Sequence, residues 1–219
     1  MKLDIPGLSG PTKPGKLLCI GRNYAAHAAE MKSAVPSKPM VFLKPSTALI
    51  PSGGSIIIPD ASKDVHHEVE LVVAIGADGR NIAPEDALGH VAAYAVGLDM
   101  TARDIQAAAK EKGHPWSVAK GFDTFAPIGV FVPASSISDP QALDIKLEIN
   151  GIVRQEGNTS DMIFPIADLI AYCSTIFSLE AGDLIYTGTP EGVGPVAVGD
   201  SLVATLEGCP PLTVSVRRP

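Results

Sequence analysis

The chain has 219 residues, 46% of them hydrophobic and 19% charged, which suffices for one soluble core without disulfide or zinc staples. Its formal net charge of −7 argues against nucleic acid or anionic membrane as the main partner. Cys19, Cys173 and Cys209 form no Cys-x-x-Cys and point to reduced thiols, while Met1 to Gly7 resembles neither a signal core nor a transit helix, so a cytoplasmic location is expected.

Residues 1–16 carry several Pro and Gly and read as an irregular lead-in. Leu17-Leu18-Cys19-Ile20 predicts a short buried strand running into Gly21-Arg22-Asn23-Tyr24. The alanine-rich stretch that follows, as far as Met31, favours helix with Asn23 as its N-cap. On that helix His27 and Glu30 lie three apart and share a face. A carboxylate beside an imidazole fixes its tautomer and raises its basicity, as general-base catalysis requires. Taken alone, the spacing favours a solvated surface pair. Ser33 to Pro39 is rich in helix-stopping residues, which makes the segment near 21–39 a lid candidate. Met40 to Lys44 predicts a strand ending in a cation, and Ile56 to Pro59 another short strand.

Asp64 to Ile75 reads as a strand, apolar and β-branched from Val69 onward and closed by the turn Gly76-Ala77-Asp78-Gly79. Residues two apart on a strand point the same way, so Glu68 and Glu70 project together. Two adjacent carboxylates repel, and burial raises the cost of keeping both ionised. A hard cation such as Mg²⁺ removes that cost. The competing reading is a solvated strand edge, where acidic residues are common.

Pro84 to His90 predicts a brief helix. Val91 to Leu98 is an apolar strand that delivers Asp99 to a helix expected to reach Lys110 and to close at Gly113. By residue type Asp99 and Thr101 could each cap that helix or serve a site. Arg103 and Gln106 share one of its faces. Lys120 lies in a mostly apolar stretch beside Trp116, either as a desolvated cation or with its ammonium reaching water. Leu143 to Ile149 alternates as a half-buried strand, and Asn150-Gly151 returns it in a type I′ hairpin. Asn158 to Asp161 is expected to start a helix covering Ile166 to Phe177. The loop from Gly188 to Pro195 can bring N–H groups and the Thr189 hydroxyl to an anion, without the lysine and spacing of a P-loop. Leu202 to Leu206 and Leu212 to Val216 finish as strands.

Several separated pieces agree in order: Gly21-Arg22-Asn23-Tyr24 with His27 and Glu30, then His66-His67-Glu68-Val69-Glu70, Leu98 to Asp104, Lys120, and Gly188-Thr189-Pro190 with Gly192-Val193-Gly194. Together they resemble the fumarylacetoacetate hydrolase family. The similarity runs from about Lys16 onward and is closest to the short single-domain branch of acylpyruvases that also act as oxaloacetate decarboxylases. It implies a mixed α/β, β-rich fold, a mixed β-roll with short flanking helices, forming one catalytic domain over 17–219. It also implies a homodimer that binds Mg²⁺ or Mn²⁺ and a small 2-oxo acid. Carried over residue by residue, Glu68, Glu70 and Asp99 are the metal ligands, His27 and Glu30 the catalytic pair on the lid, and Lys120 the active-site lysine. Arg22, Arg103, Gln106 and Thr189 are the implied substrate contacts.

The implied reaction is cleavage of the C3–C4 bond of 2,4-dioxo acids, decarboxylation of oxaloacetate, or both, through a metal-stabilised pyruvate enolate. The alternative is an isomerase, hydratase or tautomerase of 2-oxo or 2-hydroxydienoic diacids with the same metal triad. A non-catalytic binding scaffold would be favoured by loss of a triad member or of the lid pair, and all are present.

Overall fold

The computed structural model describes residues 1–30 and 34–219, so residues 31–33 of the expected lid segment lie outside the described residues. The architecture is β-rich mixed α/β: an eight-stranded mixed sheet, a five-stranded sheet and a three-stranded sheet, flanked by short helices. Val69–Ile75 lies inside the largest sheet, antiparallel to Val91–Leu98 on one side and to Leu184–Tyr186 on the other. Both its faces are covered. Leu71, Val73 and Ile75 enter the main core, and Val72 and Ala74 a second cluster on the opposite face. That explains why its sequence is an unbroken apolar run rather than an alternation. Leu3 and Ile5 join the second cluster, so the first residues of the chain cover the outer face of this sheet.

The run from Asp64 divides into two strands. Val65–His67 pairs with Thr101–Ala102 and Gly194–Pro195 in the three-stranded sheet, whereas Val69–Ile75 enters the large one. Glu68 sits at the changeover, its carbonyl accepting the Asp99 N–H at 2.8 Å. One chain crossing between two sheets thereby joins the strand ends that carry the acidic residues.

Three expected helix starts differ from the structure. Because Thr101 is paired with His66 in a strand, the helix begins only at Arg103 and runs Arg103–Lys112, with neither Asp99 nor Thr101 as its cap. Gly113 closes it at φ 65°, as expected. Asn23 does not cap the helix Ala25–Glu30. Its buried amide donates to the Thr187 carbonyl at 2.8 Å and the Phe164 carbonyl at 3.1 Å, and accepts from the Phe164 N–H at 2.8 Å. Asn158 caps only the 3₁₀ turn Thr159–Asp161, and the helix Ile166–Ile176 starts afresh after Pro165. Pro84–His90 is 3₁₀ rather than α. The hairpin at Asn150 and Gly151 has φ values of 53° and 78°, the signs a type I′ turn demands.

Candidate active site

Glu68, Glu70 and Asp99 are 6%, 1% and 1% exposed, which excludes the solvated-edge reading. Carboxylate oxygens from all three lie within 4.8 Å of one another, the one such cluster among the described residues. Burial first, and then the charges of Asp99 and Glu68, push the Glu70 carboxyl well above the usual range. Among the described residues its one hydrogen-bond partner is the Gly188 N–H, at 2.9 Å. Gly188 has φ 96°, and a Cβ there would meet the Asn23 Cβ at 2.7 Å, so glycine is required for that approach. A buried carboxyl beside two further carboxylates suits a hard divalent cation bound through oxygen. The donor set fits Mg²⁺ or Mn²⁺.

Three cations surround this cluster. Lys120 Nζ lies 2.8 Å from Glu68 Oε2 and 2.6 Å from Asp99 Oδ2, with only 2% of its side chain exposed. It is therefore the desolvated cation, not the snorkelling one. Burial alone would lower its pKa, but Asp99 and Glu68 more than offset this and raise it. Arg103 Nη2 reaches Glu68 Oε1 at 2.6 Å and its Nη1 donates to Gln106 Oε1 at 2.8 Å. Burial would raise Glu68, yet Lys120 and Arg103 hold it well below the usual carboxylate range.

The third cation is Lys44, which sequence reasoning placed only at a strand end. Its Nζ donates to the carbonyls of Met100, Lys120 and Phe125 at 2.9, 2.6 and 2.8 Å. Those bonds use all three of its protons. Asp99 Oδ1 lies 2.6 Å from the same nitrogen, yet among the described residues it receives no hydrogen bond. The contact is thus charge against charge, and a lone pair of Oδ1 stays available.

The helix Ala25–Glu30 brings its pair to the mouth of the same pocket. His27 is buried and its Nδ1 lies 3.2 Å from Glu30 Oε2, while the Gly192 N–H donates to Glu30 Oε1 at 3.1 Å. Gly192 permits this at φ 89°, where a Cβ would run into the Arg154 carbonyl. Arg22, His27, Glu68, Glu70, Arg103, Gln106, Lys120 and Thr189 all line one pocket, with Lys110, Phe42 and Trp116 at its wall. Glu30 stands behind His27, and Asp99 beneath Lys120. Every residue named as a site candidate from sequence is therefore in or against this pocket.

Besides Lys44, the sequence gives no sign of two further side chains at the site, the exposed Lys110 and the buried Gln155. Lys110, its Nζ 5.2 Å from the Trp116 ring centroid, looks like an ordinary helix-surface lysine in sequence. Gln155 lies on a strand of mostly exposed residues. A register shift opposite Leu147 and Glu148 leaves Arg154 unpaired and turns Gln155 to face Leu147. No sequence signal marks that bulge.

The chain matches the family model Fumarylacetoacetate (FAA) hydrolase C-terminal over residues 16–217. It is 48% identical over 203 residues to the mitochondrial oxaloacetate tautomerase FAHD1 of Arabidopsis thaliana, covering 93% of this chain and 91% of that one. The same identity over the same length holds for the human protein of that name, with 92% of it covered. The fumarylpyruvate hydrolase of Pseudomonas aeruginosa, solved with Mn²⁺ and pyruvate, superposes with a TM-score of 0.93 at 40% identity, covering 100% of this chain and 96% of that one.

Proposed function

Because the chain belongs to the fumarylacetoacetate hydrolase family, we propose that it is a divalent-cation-dependent enzyme of small 2-oxo acids. It cleaves the C3–C4 bond of 2,4-dioxo acids and decarboxylates oxaloacetate. The observation that carries this is the meeting of three buried carboxylates, a buried lysine and a histidine–glutamate pair in one pocket. Mg²⁺ or Mn²⁺ held by Glu68, Glu70 and Asp99 would supply Lewis acidity to the carboxylate and keto oxygens of the 2-oxo acid.

Lys120 has three protons, of which Glu68 and Asp99 take two. The third has no acceptor among the described residues and can meet the oxygen at C2, where negative charge collects as the C3–C4 bond breaks. Arg103, steadied by Gln106, and Arg22 hold the substrate carboxylate. Glu30 accepts the Nδ1 proton of His27, which leaves Nε2 as the base. In hydrolysis Nε2 takes a proton from water and the oxygen adds to C4. The C3–C4 electron pair then moves into the enolate, and the proton is returned to C3 to give pyruvate and a carboxylic acid. In decarboxylation CO₂ leaves in place of the acid, and no water is consumed.

A second reading is favoured by the relatives named as oxaloacetate tautomerases. Removal of the C3 proton by His27, and its return to the oxygen at C2, uses the same pocket. Three unpaired thiols support a reducing compartment such as the cytoplasm, and the family resemblance supports a homodimer. Product analysis on acetylpyruvate, oxaloacetate and a 2-hydroxydienoic diacid with Mg²⁺ tests these readings. Turnover of none of them, or full turnover in EDTA, would overturn the proposal.

A further inference from the structure

Gln155 is 1% exposed and every hydrogen-bonding capacity of its amide is used. Its Oε1 accepts from the Val69 N–H at 3.0 Å and faces His67 Nδ1 at 2.9 Å. Its Nε2 donates to the Pro190 carbonyl at 2.9 Å and to Thr189 Oγ1 at 2.8 Å. A backbone N–H can only donate and a carbonyl can only accept, so these contacts fix which end of the amide is oxygen. Two consequences follow for its side-chain neighbours. His67 carries its proton on Nδ1. Thr189 must accept from Gln155, and among the described residues its hydroxyl proton has no other acceptor. Thr189 is 2% exposed and lines the pocket beside Glu70 and Lys120.

We infer that Gln155 is a positioning residue that presets the Thr189 hydroxyl as a hydrogen-bond donor to the anionic substrate. The inference rests on the 2-oxo acid reading above. A free hydroxyl can turn either way and competes as an acceptor. One whose lone pair is occupied from behind presents its proton to an incoming oxyanion without reorganisation. Because the opposite end of the same amide holds the Val69 N–H, Gln155 also ties the glycine-rich loop to the strand carrying Glu68 and Glu70. A neutral amide does both without adding charge to the pocket.

The test is a double-mutant cycle on pyruvate binding to the Mn²⁺-loaded enzyme, measured calorimetrically, with melting temperature recorded for each variant. Thr189→Val should weaken pyruvate roughly tenfold, the scale of one hydrogen bond to a charged group. Gln155→Met should weaken it by a similar factor in the wild-type background and hardly at all in the Thr189→Val background, although it lowers the melting temperature in both. Should Gln155→Met not fold, Gln155→Asn keeps a neutral amide but draws its nitrogen back from Thr189, and the same pattern is expected. Equal losses from the Gln155 change in both backgrounds would overturn the inference while leaving the 2-oxo acid reading intact. No loss from Thr189→Val would overturn it at its premise, and absence of pyruvate binding by the wild type would instead remove the proposed function.

Discussion

Glu70→Gln should make the metal-free protein more stable and the metal-loaded protein less so. Like charges separated by 4.8 Å, the limit of the carboxylate cluster, repel by about 3.5 kcal/mol at an effective dielectric constant of about 20. Lys120 and Lys44 contact the other carboxylates but not Glu70. The amide keeps an oxygen for the Gly188 N–H, so little is lost against the relief. A net gain of roughly 1–3 kcal/mol is expected, or about 5 °C in melting temperature for a chain of this size. Burial and the neighbouring carboxylates raise Glu70 in the folded state. Its charge therefore costs nothing below the ordinary carboxylate range and the full amount only above the raised value. The advantage of the Glu70→Gln variant over wild type should vanish near about pH 4 and grow as pH rises. With Mn²⁺ at about 100 times its dissociation constant, wild type should gain about 2.7 kcal/mol and the variant much less. Thermal melts in EDTA and in Mn²⁺ should thus rank the two proteins oppositely. A variant that melts lower in EDTA yet responds to Mn²⁺ like wild type would refute both the electrostatic account and the ligand assignment.

Lys44→Met leaves Asp99 and three carbonyls without their buried cation and should cost about 3–5 kcal/mol in urea unfolding; a change below about 1 kcal/mol would mean that the pairing is net neutral. Lys120→Ala should depress kcat on acetylpyruvate and oxaloacetate alike, since both pass through the enolate; a rise in KM with kcat intact would assign Lys120 to ground-state binding. His27→Ala should cut acylpyruvate hydrolysis by on the order of a hundredfold, with Glu30→Gln acting the same way more mildly and oxaloacetate decarboxylation suffering less. Equal losses on both substrates would show that the helix Ala25–Glu30 orients substrate rather than activating water.

The parts of the site that are legible in sequence are those whose chemistry is local. Glu68 and Glu70 are two apart at the head of an apolar strand, and His27 and Glu30 three apart on a helix, so each spacing carries its own geometry. Asp99 is recognisable as a carboxylate at the end of a buried strand, though residue type alone equally suggests a helix cap. That ambiguity disappears only once Thr101–Ala102 is seen to pair with Val65–His67. Lys44 and Gln155 differ in kind. The partners of Lys44 are carbonyls 56, 76 and 81 residues away, and those of Gln155 lie 34 to 88 residues away. No local pattern encodes such distances. The same holds for Asn23, whose residue type suggests a cap while its side chain joins segments 141 and 164 residues on.

The charges of the pocket suggest where its affinity is greatest. Glu68, Glu70 and Asp99 face Lys44, Arg103 and Lys120, three carboxylates against three cations, and Arg22 also lines the pocket. A divalent cation adds two further positive charges. The one carboxylate of a 2-oxo acid offsets this excess only in part, and the additional negative oxygen of the enolate offsets it further. In a water-poor pocket that favours the enolate over the bound keto acid, which is the difference that lowers a barrier. Oxalate, a planar dianion shaped like the enolate of pyruvate, should accordingly bind at least tenfold more tightly than pyruvate, the lower end of the range for transition-state mimics. The preference should weaken in Lys120→Met, whose cation faces the second oxygen. Competition of each anion against oxaloacetate turnover measures both. Equal inhibition constants for oxalate and pyruvate in the wild type would mean that the balance of charge in this pocket does not select the enolate.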